Sequence, residues 1–462
     1  MKPISLFFAA VACCTFAAAA AETPVAFKSS RADGQVDRVR ILLEAGGDVN
    51  YAEDGKPQQA KTSVNCQLEF LEKTLEVAPG SARSIRDYQQ TTAKVQIGQV
   101  KFQPTLKPEH RRVVAEGGEQ KILLFSPDGN LSRDELDVIE IHADPLLLDR
   151  LLPDRAVSVG DRWEHSDQLM AAFLNLDEVG KTTVTSTLKE VNDRVARFEL
   201  EGRVKGALHG IATSIEIKAR YRFDRQRNRV DWLGMLVKED RPSSFIDDGV
   251  ALVSRLQLTI TPADEPENLR AEALTKLQLQ SRAPLAYLNY ELAGSCRTLH
   301  DRRWFVYHQR PKVAASVLRL VDRGALAGQC NFAILPDRSP ERLVSMDEFQ
   351  ADVRRALGDS FGEFVEAGQS VNEAKCRVLR VVVHGKASEL PIRWIYYHVA
   401  DQEGHQAALT FTVEQRLLEQ FADADKPMIA ALKFNDLKAG EKRETTEAAE
   451  RTRAASKATT NR

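Results

Sequence analysis

The 462-residue sequence holds only 6 cysteines, and no two stand in a CxxC spacing. Zinc ribbons and thioredoxin-type redox chemistry therefore have no local basis. HExxH, the phosphate-binding GxxxxGKS/T pattern and GxGxxG are also missing, which argues against zinc hydrolases and common nucleotide enzymes. Charge of one sign is absent too: 64 Lys plus Arg against 66 Asp plus Glu leave a formal net charge of −2. Nucleic acid as an obligate partner normally needs a basic surface, and none is implied. Beyond the first 21 residues no apolar run approaches the ~20 residues of a membrane-spanning helix. What is present is ordinary globular material, 43% hydrophobic and 28% charged, in a length that suggests two to four domains.

The N-terminus has the three parts of a secretory signal peptide. Lys2 supplies the positive region, Ile4 to Phe16 the apolar region, and Ala19-Ala20-Ala21 a small-residue cleavage site before Glu22. The expected product is a cleaved periplasmic or secreted protein. Lipoprotein anchoring at Cys13 is the alternative, opposed by Ala10 standing where leucine is usual and by the apolar run continuing past Cys14. Cys66, Cys296, Cys330 and Cys376 remain in the mature chain, and export permits disulfides among them. At least one pair among Cys296, Cys330 and Cys376 is expected to be oxidised, with buried free thiols as the other reading.

From about 38 to 262 the pattern is one of long strands. Ile211, Thr213, Ile215, Ile217, Ala219, Tyr221 and Phe223 alternate with Ser214, Glu216, Lys218, Arg220 and Arg222, which gives one apolar face. Leu252 to Ile260 and Ala196 to Leu200 repeat it. Helices are expected at 145–152, 167–176 and 266–281, placed to plug the concave side of a curved antiparallel sheet. After a change of character at 282–300, strand-like runs at 313–321, 325–335, 376–384, 391–399 and 406–413 surround a helix at 345–357. Ser345 and Glu348 have capping-box spacing for that helix, and a closing helix is expected near 414–421. Residues 436–462 lack aromatics and read as a mobile polar tail.

The fold class expected is α+β: an N-terminal curved antiparallel half-barrel with covering helices, then a C-terminal α/β/α sandwich. The divisions are a signal peptide at 1–21, the half-barrel at 22–283, the sandwich at 284–435 and the tail at 436–462. No catalytic, cofactor or metal residue is assigned. His398 and His405 flank a turn holding Asp401 and Glu403, but turn residues are ordinarily solvated and no third ligand stands at fixed spacing. Two candidate surfaces remain. Ile215, Ile217, Tyr221, Phe223 and Trp232 form a face that either holds a hydrophobic ligand or is filled core. Arg303, Trp304, Tyr307, Trp394 and Tyr396 form either a partner surface or ordinary strand packing.

The stretches HDRRWFVYHQ, VLRLVDRGALAGQCNFAILP, MDEFQADVRRAL, LPIRWIYYHVADQEGHQAALTFTVE and LLEQFADADKPMIAALKF, between 300 and 434, resemble the PsbP-like family with its Mog-type and DcrB-type members. That resemblance implies an α/β/α binding or assembly module with no catalytic residue. LPDRAVSVGDRWEH at 152–165, with the meander and the export signal, is similar to LolA/LolB/LppX-like periplasmic proteins, whose half-barrel holds lipid or acyl chains. The reading is an exported, non-catalytic binding or scaffolding protein of the cell envelope, without cofactor. Its partner is an envelope protein or a hydrophobic small molecule. The alternatives are a carrier of lipid in the half-barrel and, last, an unrecognised enzyme.

Overall fold

The computed structural model describes residues 23–435 except 54–55, 79, 119–120, 244–247, 311–313 and 323–324. The expected signal peptide, the Cys13 alternative and the polar tail lie outside the described residues.

Thirteen strands form the larger sheet among the described residues. They are β1 (Val36–Glu53), β2 (Lys56–Ala78), β3 (Ser81–Ile97), β4 (Val100–Phe102), β5 (Arg112–Gly117), β6 (Ile122–Phe125), β7 (Arg162–Glu164), β8 (Glu178–Thr182), β9 (Thr185–Val191), β10 (Val195–Leu208), β11 (Ile211–Asp224), β12 (Arg229–Arg241) and β13 (Gly249–Pro262). The order β6-β5-β3-β2-β1-β13-β12-β11-β10-β9-β7 is antiparallel throughout, and β1 meets β13 along its length. Alternation decides the faces: in β11 the even partners are solvated while Ile215, Ile217, Tyr221 and Phe223 are buried.

The concave face is filled at one end by short helical pieces, α1 (Arg133–Ile139), a 3-10 segment (Pro145–Leu151) and α2 (Asp167–Phe173). Ser132 caps α1 through a capping box with Glu135. Leu146, Leu147, Leu148, Leu151, Met170 and Phe173 enter one core with side chains from every long strand of the sheet. Burying each such side chain contributes roughly 1.5–3 kcal/mol relative to exposure.

After β13 come α3 (Ala271–Leu274), packed on the large sheet through Leu274, and α4 (Ala283–Ala286), beyond which the second part begins. Its strands are β14 (Leu288–Leu292), β15 (Cys296–His300), β16 (Trp304–Arg310), β17 (Ala315–Asp322), β18 (Ala325–Leu335), β19 (Phe361–Val371), β20 (Arg377–Ala387), β21 (Leu390–Ala400), β22 (Gln406–Glu414) and β23 (Lys433–Phe434). They make a seven-stranded sheet, β16-β17-β18-β22-β21-β20-β19, and a small one, β14-β15-β23. The helices are α5 (Met346–Leu357), α6 (Leu418–Phe421) and α7 (Lys426–Ala431).

The expected α+β class is corrected here: the structure is 56% strand and 17% helix, with large antiparallel sheets. No α/β/α sandwich forms, because α5 alone covers one face of the seven-stranded sheet, through Phe349 and Val353 on Leu379, Val381 and Val383. The other face meets pieces of four and six residues, α6 and α7, and the small sheet. The covering helix expected at 266–281 is a 3-10 turn at Glu267–Leu269 followed by the four-residue α3. Leu269 and Leu274 pack on Leu71, Ile85, Val114 and Phe125, whose side chains point away from the concave face.

The oxidised pair expected among Cys296, Cys330 and Cys376 is also not formed. These three and Cys66 are free, buried thiols.

Candidate functional site

The large sheet is longer than its plug. Two neighbouring rows of inward side chains cross β3, β2, β1, β13 and β12 beyond the plugged end. The first row is Ala93, Cys66, Leu43, Leu256 and Met235, and the second is Val95, Val64, Ala45, Ser254 and Val237. The row nearer the plug holds the large, buried Leu68, Ile41, Leu258 and Leu233. Small residues therefore concentrate where the helices stop, and burial falls along three adjacent strands in the same direction. Leu258 is 0% exposed and Leu256 2%, while Ser254 and Leu252 are half-buried.

The result is a half-open cavity of about 600 Å³ between this floor, α1 and the Phe102–Pro104 stretch. Its floor and walls are apolar: Leu43, Val64, Val95, Met235, Val138 and Ile141. Its ionisable groups other than Cys66 gather on the α1 side and at the end of β12, as Asp134, Asp137, Glu140, His142 and Glu239, while the neutral Gln103 and Ser254 lie on the Phe102–Pro104 stretch and on the floor. Burial pushes the His142 imidazole down to about 4, so it is neutral at pH 7. Burial raises the Glu239 carboxyl above its ordinary value, opposed by Arg241, whose Nε lies 3.7 Å away. Cys66 in the floor is pushed up to about 11 by burial and is therefore a thiol rather than a thiolate.

Ile215, Ile217, Tyr221 and Phe223 do not line this cavity. They are 2% exposed or less and are packed in the plugged core, where Tyr221 stacks on Phe198 at 4.7 Å and its hydroxyl donates to the Leu151 carbonyl at 3.1 Å. Trp232 stands on the opposite, outer face of β12, half-buried against Gly234. The residues that do line the cavity were missed at the sequence level. The signal was there in β1, where the inward positions Ile41, Leu43 and Ala45 end on a small residue.

The second candidate set is dispersed. Trp304 is 0% exposed, donates from Nε1 to the Ala424 carbonyl at 3.2 Å and packs on Phe411 and Phe421. Trp394 is buried and Tyr396 half-buried against the α5 cluster. Arg303 pairs with Asp301 at 3.0 Å and Asp322 at 3.3 Å. Tyr307 is the exposed one, with the Arg319 guanidinium 3.4 Å over its ring. Tyr307 and Trp304 border a second cleft of about 630 Å³ between the two parts of the chain, beside Arg133, which lies 4.5 Å over Phe305.

Two chemical signatures need placing. Asp401, Glu403 and His405 bring ligand atoms within 4.8 Å of one another. Asp401 already accepts from the backbone of Glu403 at 3.0 Å and His405 at 2.9 Å and from His405 Nδ1 at 2.7 Å, the bonds of a closed turn. Gly358-Asp359-Ser360-Phe361-Gly362 has the spacing of a nucleophile elbow, GxSxG. That elbow runs from strand to helix, whereas Ser360 leaves α5 and enters β19. His384 on the neighbouring strand accepts at Nε2 from Arg393 Nε at 3.0 Å.

No family model matches the chain, and no curated protein does. The PsbP-like and LolA-like resemblances thus find no counterpart among them. Among solved structures it is similar to lipovitellin, from a study of lipid–protein interactions, with 11% identity and a TM-score of 0.30 over 51% of this chain. It spans about a quarter of that molecule's length, 26%. A DUF1329 family protein of Desulfovibrio piger aligns at 10% identity and TM-score 0.11, over 52% of this chain and 92% of its own. The Vibrio cholerae outer membrane protein OmpT with loop L8 deleted aligns at 8% identity and TM-score 0.13, over 83% and 99%. TM-scores this low carry no argument about fold or function. Among the described residues no helix is long and apolar enough to cross a membrane.

Proposed function

We propose that this protein is an exported, non-catalytic carrier that holds a hydrophobic small molecule in the half-open cavity of the large sheet. One observation carries the reading: a cavity of about 600 Å³ whose floor is two rows of side chains, apolar except for Ser254. Small-molecule sites are commonly apolar concavities of about 300–1,000 Å³ with a few polar groups at one side. The scaffold reading needs no such cavity. The export pattern at residues 1–21 supports a carrier that works in the periplasm or outside the cell.

Uptake of the neutral dye Nile red tests the proposal, with native mass spectrometry of the purified protein to find co-purified lipid. Ala45→Trp fills the centre of the floor at a half-buried position, so it is expected to abolish dye uptake while leaving the circular dichroism spectrum and unfolding midpoint nearly unchanged. A wild-type protein that takes up no dye and carries no lipid refutes the carrier.

A further inference from the structure

We propose that the ligand of this cavity carries a cationic or hydrogen-bond-donating head and is not a fatty acid or other anionic amphiphile. The inference rests on the carrier reading and adds the head-group class to it. Four of the residues lining the cavity are carboxylic, Asp134, Asp137, Glu140 and Glu239, and none of the described lining residues is Lys or Arg. The fifth ionisable nitrogen or oxygen group at this side, His142, is half-buried, and desolvation holds it at about 4, so it is neutral at pH 7.

The nearest cations lie behind the carboxylates rather than in the cavity. Arg133 is 4.0 Å from Asp137, and Arg241 is 3.7 Å from Glu239. Arg302, which feels the charge of Glu140, gives its hydrogen bonds to the carbonyls of Ala286 and Leu124. Asp134 and Glu140 have no ion pair within 4.0 Å among the described residues, so acid remains in excess at the mouth. Glu239 adds a buried oxygen, Oε1, that accepts no hydrogen bond. Arg241 Nε, at 3.7 Å, is too far to make that hydrogen bond, and a donor head supplies it.

A tail lying on Leu43, Val64 and Val95 brings its head to the α1 side, because the opposite walls offer no polar group of comparable charge. An anionic head there meets like charge, which solvent at the exposed Asp134 and Asp137 screens in part but does not reverse. An ammonium or a hydroxyl meets acceptors. Tail burial sets affinity for either, so the head decides selectivity.

The experiment compares dodecylamine, dodecanol and dodecanoate as displacers of Nile red from the full chain at pH 7.4, below their micellar concentrations. Dodecylamine is expected to displace the dye at a concentration at least tenfold lower than dodecanoate, with dodecanol between them. Asp134→Asn/Glu140→Gln, at the exposed Asp134 of α1 and at Glu140, its half-buried C-cap, is expected to cut that ratio below threefold, each displacement being scaled to the variant's own affinity for the dye. Dodecanoate displacing as well as dodecylamine, or a ratio unchanged in the double variant, overturns the head-group inference and leaves the carrier standing. A wild-type chain that takes up no Nile red overturns the carrier reading, and this inference with it.

Discussion

Arg86 and Asp144 are joined by two buried hydrogen bonds, Nη1 to Oδ2 at 2.8 Å and Nη2 to Oδ1 at 2.7 Å. The third guanidinium edge donates from Nε to Glu72 at 2.9 Å. Asp144 also accepts from the Leu146 backbone at 2.9 Å, at the start of the leucine-rich 3-10 segment. One side chain of β3 thus anchors the plug whose far end bounds the cavity.

Arg86→Met is therefore expected to destabilise the protein by about 3–5 kcal/mol, because it leaves two carboxylates in the core without their main partner. Urea denaturation measures it. Arg86→Met/Asp144→Asn should lose less than the sum of the two single changes, since they share one network. A loss below about 1 kcal/mol for Arg86→Met would show that the network is not what holds the plug.

Acid should unfold this protein in two windows. Burial holds His142, His165 and His300 at about 4, below the ordinary 6.5. The unfolded chain takes up those protons first, so this stability is complete above pH 6.5 and is lost as pH falls from 6.5 to 4. Burial pushes the Glu72 carboxyl up, but Arg86 and Arg31 bring it down to about 2 from 4.5. Its share is complete above pH 4.5 and is lost between 4.5 and 2, amounting to about 3 kcal/mol at most. Burial raises the Asp137 carboxyl to about 6, which offsets part of the histidine loss as pH falls below 6, so the melting temperature should fall gently in the upper window and more steeply below pH 4.5. His142→Gln should flatten only the upper window, and a melting temperature that climbs between pH 6.5 and 5 contradicts the assignment.

Much of the strand content was legible because a period of two over β11 admits one answer once one face is buried. The helix at 345–357 was legible from Ser345 and Glu348, whose capping box forms. The helix expected at 266–281 was misread, because apolar spacing alone does not show which face of a sheet will receive Leu269 and Leu274. Register decided the cavity: Ala93, Cys66, Ala45 and Ser254 are far apart in sequence and meet only through pairing of β3, β2, β1 and β13. Tyr221 and Phe223 sat on an alternating face like those residues, but nothing local distinguishes a plugged stretch of that face from an open one.

The four thiols give a direct check on the free state of Cys66, Cys296, Cys330 and Cys376. Burial raises Cys66 and Cys376 to about 11 and Cys296 to about 12, so thiolate is scarce near neutrality. Ellman's reagent should find none of them in the native chain lacking residues 1–21 and all four in guanidinium. Reductant should leave the melting temperature unchanged, since there is no disulfide whose loss would cost about 2–4 kcal/mol. Fewer than four thiols in the unreduced, unfolded protein would mean that a bridge forms.

The division near residue 284 is tested by expressing 284–435 alone. Its main core, from Tyr290 to Leu432, is closed upon itself, with Trp304, Phe332, Phe411 and Met428 at the centre. Its ties to the large sheet are both polar and apolar. The Asn289 backbone donates to the Leu131 carbonyl at 2.8 Å, and Arg133 donates to the Arg302 carbonyl at 2.5 Å. Leu288 is buried in the core of the large sheet, Leu285 packs beside Phe125, and the Phe305 ring lies 4.2 Å from that of His209. The fragment should unfold in one cooperative transition, as single domains of this size do, at a lower midpoint than the same part in the full chain. Arg302 separates the contributions. Burial lowers its guanidinium to about 10, and one of its acceptors, the Leu124 carbonyl, belongs to β6 and is lost in the fragment. Arg302→Met should therefore destabilise the full chain by about 1–3 kcal/mol, the cost of unmade buried hydrogen bonds, and the fragment by less. A fragment that aggregates, or melts without a transition, would place the boundary elsewhere and make the two parts one folding unit.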